Sequence, residues 1–151
     1  MVDAVAGRSG LDAETAGAAT TLVAAFVLAN LTTHHVTMLR RHIVEIDELA
    51  EEGRGRADDI VAGRAATGRA TLTGRLLSSV GGLAGGRDGG VVAAITTLIG
   101  HLGRLGLDTG DMRRLAAAMV EETRARTGPG YVDTMLARAR AKVPVLGRYL
   151  G

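Results

Sequence analysis

The stretch TTLVAAFVLANLTTHHVTMLRRHIVE, from Thr20 to Glu45, decides the fold because it recurs later in the chain. Moved by 76 residues, from position 20 to position 96, it aligns without a gap to TTLIGHLGRLGLDTGDMRRLAAAMVE, from Thr96 to Glu121. Each copy has the pattern of an apolar helix, a short polar turn and an amphipathic helix. The fixed register through the turn predicts two related helical hairpins that bury their apolar faces together. Identical residues occupy positions 20, 21, 22, 31, 33, 39, 44 and 45 of the first copy.

The first hairpin is expected to begin with a helix from about position 11 to position 29. Ser9 or Asp12 is placed to cap its free backbone amides. Its residues are apolar on most sides, which predicts burial.

The second helix of this hairpin is expected to be capped by Thr32 or Thr33 and to end at Gly53 and Gly55. Alternating steps of three and four residues place its apolar side chains on one face. This face consists of Val36, Leu39, Ile43, Ile46 and Ala50.

Glycines interrupt the middle of the chain. The segment 57–79 has glycines at 63, 68 and 74, which predicts a loose or broken helix that is firmest from Leu72 to Val80. The segment GGLAGGRDGG, Gly81 to Gly90, is expected to be a flexible linker. It lacks the Lys and the Ser or Thr of a phosphate-binding loop.

The second hairpin and a terminal helix follow the linker. Helical spacing predicts helices over 91–105 and 111–126, the latter capped by Asp108 or Thr109. The GPG turn at 128–130 should stop it, and a last helix is expected from Tyr131 to about Lys142, before Pro144. The apolar residues expected to face inward are Met112, Leu115, Met119 and Val120 in the helix over 111–126 and Met135, Leu136 and Ala139 in the last helix.

These elements predict an all-α fold of five to six short helices in a single domain over residues 1–151. The two related hairpins, Thr20–Glu45 and Thr96–Glu121, belong to a pseudo-repeat over 11–52 and 91–126. The linker near 81–90 joins them, and the terminal helix covers 131–143. Only 2% of the residues are aromatic against 46% hydrophobic, so the core is expected to consist of aliphatic side chains and alanine.

Composition limits the chemistry that the chain can perform. There is no cysteine, which excludes disulfides, thiol nucleophiles and thiolate metal sites. With 18 basic and 16 acidic side chains, the net charge of +2 is small for a general nucleic-acid binder. No serine, threonine or carboxylate pair has the spacing of a nucleophile with its base, so a catalytic residue is not assigned and no cofactor is expected.

No formal charge occurs from Thr15 to Leu39, which raises the question of a membrane span. The convincingly apolar part, 16–29, is about 14 residues long, and a span needs about 20. No transmembrane span is therefore expected. Without a recognisable signal peptide at the start of the sequence, the expected location is the cytoplasm. A helix from Ala16 lying at a membrane surface remains an alternative.

A metal site is an alternative function for the first hairpin. Three of the four histidines, His34, His35 and His42, lie in its second half, and His42 with Glu45 forms an i, i+3 pair of the kind used in helical metal sites. His101, on the helix that the repeat places nearby, would be the third ligand. The repeat has Gly110, Asp111 and Ala118 at the positions aligned with the three histidines, which favours a solvated helix surface instead.

DNA binding is a second alternative. The segment 113–148 has eight basic and three acidic residues, and LGRLGLDTGDMRRLAAAM has the pattern of a helix-turn-helix motif. Thr109, Arg113 and Arg114 would then lie at the start of the recognition helix. A solvated arginine face accounts for the same pattern.

Two segments, LTTHHVTMLRRHIVEIDEL and LGRLGLDTGDMRRLAAAMVEETRARTGPGYVDTML, carry a family resemblance. They resemble the VcgC/VcgE-like bacterial family of unknown function, in the Ile-Asp-Glu-Leu segment at 46–49 and the Leu-Gly-Leu-Asp turn at 105–108. The resemblance implies an all-helical fold and no catalytic residue.

The absence of a catalytic pattern and the apolar faces rich in alanine and glycine favour a non-enzymatic function. We expect a helical protein that acts through association with another protein or with itself as a homo-oligomer. The helix-turn-helix module and the metal-binding bundle remain the alternatives.

Overall fold

The computed structural model describes residues 1–66 and 88–150, and the side chains of residues 1–62 and 90–150. This part of the chain is helical and has no strand, which confirms the all-α prediction. A short 3-10 helix, Pro144–Leu146, precedes the last of its α-helices. The α-helices are α1 Val2–Ser9, α2 Ala13–Asn30, α3 Thr33–His42, α4 Ile46–Ala66, α5 Asp88–Arg104, α6 Thr109–Thr127, α7 Pro129–Lys142 and α8 Gly147–Leu150.

The predicted count of five to six helices is wrong, since eight α-helices lie within the described ranges alone. Three of them were not expected as separate elements. The short helices α1 and α8 lie at the two ends, and the predicted second helix is divided into α3 and α4. Short terminal helices are stabilised by packing against the bundle, which the local sequence does not encode.

Helix α2 forms the centre of the bundle. The side chain of Asp12 accepts a hydrogen bond from the backbone N–H of Thr15 at 2.9 Å, so the predicted cap is confirmed. Helices α1, α4 and α5 pack against α2. Its mostly small residues are buried on several sides, at Ala16, Ala18, Ala19, Thr20, Thr21, Leu22, Ala24 and Ala25.

Helix α4 continues through both glycines that were expected to end it. A Cβ atom on Gly53 would lie 1.9 Å from the carbonyl oxygen of Thr21 in α2. Gly53 is therefore the contact point of two closely packed helices, and the loss in helix propensity is offset by that packing. Ala50 and Ala57, one turn to either side, are fully buried. The prediction of a helix end at Gly53 and Gly55 is wrong for this reason.

The first hairpin differs from its prediction at Ile43. Helix α3 ends at His42, Ile43 points into the core, and Val44 is 87% exposed before α4 begins. The aligned helix of the second copy, α6, runs unbroken past Val120 to Thr127. The connection between the two helices is also two residues long in the first copy, 31–32, and four in the second, 105–108, so the hairpins are not equivalent. Four of the five residues in the predicted apolar seam, Leu39, Ile43, Ile46 and Ala50, are buried on the two sides of the break, and Val36 is half-buried.

The turns of the second half follow their sequence signals. Asp108 and Asp111 form a reciprocal capping box, with hydrogen bonds of 2.8 and 3.1 Å, at the start of α6. Gly128, at φ 93°, ends α6, and Pro129 begins α7. Residues 88–90 of the predicted linker are the first turn of α5, whereas 81–87 and the helix predicted from Leu72 to Val80 lie outside the described residues.

In the described residues, α2 alone is a single helix long and apolar enough to cross a membrane. Helices α5, from Gly90, and α6 meet this criterion of length and apolar character only as a pair, which is bent by 111°. Of the apolar window in α2, 44% is buried inside the protein. The core helix of a globular protein has the same length and composition, so the apolar run does not establish a span.

Candidate functional site

The residues of the predicted metal site have three different environments. His42 is exposed at the end of α3, and His101 is fully buried in α5. Glu45 accepts a hydrogen bond from Arg126 at 2.6 Å. Over residues 1–66 and 88–150, no group of three histidine or carboxylate side chains is placed to hold a metal ion. The structure therefore does not bring His42, Glu45 and His101 together as ligands.

The other two histidines of the first hairpin lie at the start of α3. The ring of His34 is exposed and packs edge-on against the ring of His35. The Nδ1 atom of His35 is 3.2 Å from the hydroxyl oxygen of Tyr131, and that hydroxyl lies 3.3 Å from the His35 carbonyl oxygen, to which it donates. His35 thus links α3 to α7.

An apolar cavity of about 320 Å³ lies among α2, α5, α6 and α7. The described side chains that line it are uncharged and almost all aliphatic. Representative wall residues are Val27 and Phe26 from α2, Leu98 from α5, Met119 from α6 and Leu136 from α7. Its volume is at the lower end of the range of small-molecule sites in proteins, which is about 300 to 1,000 Å³.

Methionine is concentrated in this wall. Of the chain's five methionines, Met1, Met112, Met119 and Met135 line the cavity, and only Met38 does not. Methionine is unbranched and polarizable, so it adapts to irregular apolar shapes. A wall of this kind can fit several apolar occupants with little backbone movement.

Three of the four polar side chains in the described wall donate to the chain's own carbonyl groups. Thr123 donates to the carbonyl oxygen of Met119 at 2.7 Å, and the Asn30 amide donates to that of Phe26 at 2.8 Å. Tyr131 donates to His35, as described above. The pKa of Tyr131 is raised by burial, so its hydroxyl stays protonated at neutral pH. These groups give the cavity little capacity to bind a charged ligand.

A group of charged side chains, which we call the Glu45 cluster, joins α1 and the α3–α4 turn to α6. It consists of Glu45, Arg126, Glu122 and Arg8, with the amino group of Met1 3.0 Å from Glu45. Arg126 also contacts Glu122 at 3.1 Å, and Arg8 lies 3.7 Å from Glu122. A hydrogen bond from its own backbone N–H, followed by those from Arg126 and the amino group, lowers the pKa of Glu45 to about 2. The cluster adjoins the cavity at Met1.

The residues of the DNA-binding alternative lie at the start of α6, where Thr109, Arg113 and Arg114 are all exposed. Two of them have partners within the chain. Arg113 donates to the carbonyl oxygen of Arg148 in α8, and Arg114 contacts Asp111.

No protein-family model, curated protein or solved structure matches the chain. The resemblance to the VcgC/VcgE-like family stays a prediction.

Sequence reasoning missed the cavity, although it placed several wall residues on inward faces. The prediction that Met112, Leu115 and Met119 face inward from α6, and Met135 and Leu136 from α7, agrees with their positions against the cavity. Periodicity shows which side of a helix is apolar, but it does not show whether the helices opposite fill the space between them. The one available signal was the excess of methionine on these faces.

Proposed function

We propose that this chain is a non-enzymatic binding protein that holds an apolar molecule in the cavity between α2, α5, α6 and α7. The observation that carries the proposal is the cavity itself, with a volume of about 320 Å³ and an uncharged, mostly aliphatic lining. Apolar pockets of this size are the default binding-site hypothesis in an uncharacterised structure.

Burial against the aliphatic wall would supply the binding free energy of such a ligand. Each methylene group that the ligand buries contributes about 0.8 kcal/mol. A ligand that binds the folded protein alone also stabilises it by mass action.

Association with another protein or with a second copy stays a prediction. Its motivation, the faces rich in alanine and glycine, is explained by internal packing such as that of Gly53 on Thr21. The exposed large hydrophobic residues in the described part are Val44, Val92 and Val145, which belong to three separate elements. Single exposed residues of this kind do not form a docking patch, so the geometry favours an internal ligand.

A dye-binding measurement tests the proposal. Nile red, an uncharged dye whose fluorescence rises in apolar surroundings, should bind the wild-type protein saturably. Ala116 lines the cavity and Ala117, the next residue of α6, is exposed. Ala116→Phe should weaken dye binding at least about tenfold by filling the space, and Ala117→Phe should leave it unchanged. Circular dichroism checks that both variants are folded. A folded wild-type protein that binds neither the dye nor decanol, the latter measured by titration calorimetry, would contradict the proposal.

A helix-turn-helix DNA-binding module is the second candidate, and the angle between α5 and α6 favours it. The two helices meet at 111° across a four-residue turn that contains Gly106, within the range typical of that motif. Three contacts count against it: α8 packs on α6, Arg113 donates to the carbonyl oxygen of Arg148, and Arg114 contacts Asp111.

Retention on duplex DNA tests this second candidate. Binding should weaken steeply with added salt, and Arg113→Gln with Arg114→Gln should weaken it further. A matched control is Arg54→Gln with Arg56→Gln on α4, which removes the same charge elsewhere. If the protein is not retained on DNA at low salt, or if the control variant loses as much DNA affinity as the test variant, the motif is not the DNA contact.

A further inference from the structure

The proposed ligand site has a wall whose chemistry selects among apolar molecules. We infer that its ligand is an uncharged molecule with a flexible aliphatic chain. The inference rests on the proposed function and adds the class of ligand to it. Two properties carry it: the side chains of the cavity wall and the charged groups beside the cavity.

The wall of the cavity consists mainly of aliphatic side chains. Leucine, isoleucine, valine and methionine supply most of it, whereas the aromatic side chains among its described residues are Phe26, Tyr131 and Tyr149. Planar ring ligands gain from stacking on aromatic faces, which a mainly aliphatic wall does not offer. The methionines of α6 and α7 can change rotamer around a chain with many conformations.

The positive groups near the cavity already have carboxylate partners. In the Glu45 cluster, Arg126 contacts both Glu45 and Glu122, Arg8 lies near Glu122, and the Met1 amino group contacts Glu45. The cluster has three positive and two negative groups, and each positive group lies within 3.7 Å of a carboxylate. A ligand carboxylate would have to displace one of them or remain unpaired beside apolar atoms, which is unfavourable. We therefore expect an alcohol, ester or hydrocarbon group within the cavity in preference to a fatty-acid carboxylate.

Competition against bound Nile red with a series of ligands tests the inference. Hexanol, octanol and decanol should displace the dye, each added methylene strengthening binding about fourfold until the cavity is full. Decanoate at pH 8 should bind at least about tenfold more weakly than decanol. Pyrene, a rigid aromatic hydrocarbon, should also compete more weakly.

A pair of variants on α7 tests whether the alcohol binds in the cavity. Ala139 lines it and Ala137 is exposed on the same helix. In Ala139→Phe, the affinity should stop rising at a shorter alcohol than in the wild-type protein. In Ala137→Phe, the dependence of affinity on chain length should match the wild type. If Ala139→Phe does not fold, Ala139→Leu makes the same test with a smaller side chain.

The outcomes separate the two proposals. If neither the dye nor decanol binds, the latter by titration calorimetry, the proposed function itself fails. If the dye binds and pyrene, decanoate or an amphipathic helical peptide displaces it better than decanol, the ligand class is wrong and the binding site stands. If the affinity of the alcohols does not depend on their chain length, the inference that the ligand has an aliphatic chain is also wrong.

Discussion

Gly53 in α4 lies against the backbone carbonyl of Thr21 in α2, so close that a Cβ atom would be 1.9 Å from the oxygen. The contact fixes the spacing of the two helices that form one side of the core. Gly55, two residues later in the same helix, has open space at the corresponding position. The chain therefore contains a matched pair of glycines that differ in packing alone.

Gly53→Ala should destabilise the protein by about 1 to 3 kcal/mol, because the added methyl group forces the helices apart. Gly55→Ala should stabilise it by up to about 1 kcal/mol through helix propensity. Urea unfolding followed by circular dichroism measures both. Equal effects of the two substitutions would show that α2 and α4 do not pack this closely.

Asp108→Ala should cost about 1 kcal/mol, because the Asp108 side chain accepts the amide of Asp111 at the start of α6. Thr32 occupies the same capping position of α3 without a side-chain hydrogen bond to the helix. Thr32→Ala should therefore cost less than Asp108→Ala in the same unfolding measurement. A larger loss for Thr32→Ala would contradict the two cap geometries.

Glu45 should stabilise the fold at neutral pH and lose this contribution in acid. Its pKa in the folded protein is lowered to about 2 from an ordinary value near 4.5. A lowered pKa means that the unfolded state binds the proton more tightly, so the stabilisation is complete above about pH 5 and falls between pH 4.5 and 2.

The difference in unfolding free energy between wild type and Glu45→Gln should therefore shrink as the pH falls through that window. Asp59→Asn, at an exposed position of α4, is the control for a general loss of negative charge. A difference that stays constant down to pH 2 would mean that Glu45 is not held by Arg126.

Tyr131→Phe should loosen α7, because it removes the hydroxyl that bonds to His35 in α3. The expected loss of stability is about 1 kcal/mol. Hydrogen exchange should become faster for amides of α7 and stay unchanged for those of α4, which serves as the internal control. Unchanged exchange in α7 would exclude the hydroxyl as a tether.

Features with local causes were predictable from the sequence. The cap at Asp12, the turn before α6 and the buried seam from Leu39 to Ala50 follow from side-chain capping and periodicity, which act within a few residues. Features with distant causes were not. The sequence around Gly53 predicts a helix end, because the close contact of Gly53 with α2 that favours glycine there is not encoded locally. The helix break at Ile43 places its side chain in a core formed by helices from other parts of the chain.

The candidate site was less predictable than the fold. The histidines of the first hairpin suggested a metal site with His42 and His101 as ligands. His42 is exposed and His101 is buried, so the two side chains do not form such a site. The cavity depends on how well helices from distant parts of the chain fill the volume between them. No local pattern contains that information.

Methionine methyl groups offer the most direct measurement of the central claim. In a protein with ¹³C-labelled methionine methyl groups, titration with decanol should shift the signals of Met112, Met119 and Met135, which line the cavity, and saturate at one equivalent. The signal of Met38, in α3 and outside the wall, should not move. Shifts that are absent, that do not saturate, or that affect Met38 as strongly as the other three would contradict an apolar ligand site in this cavity.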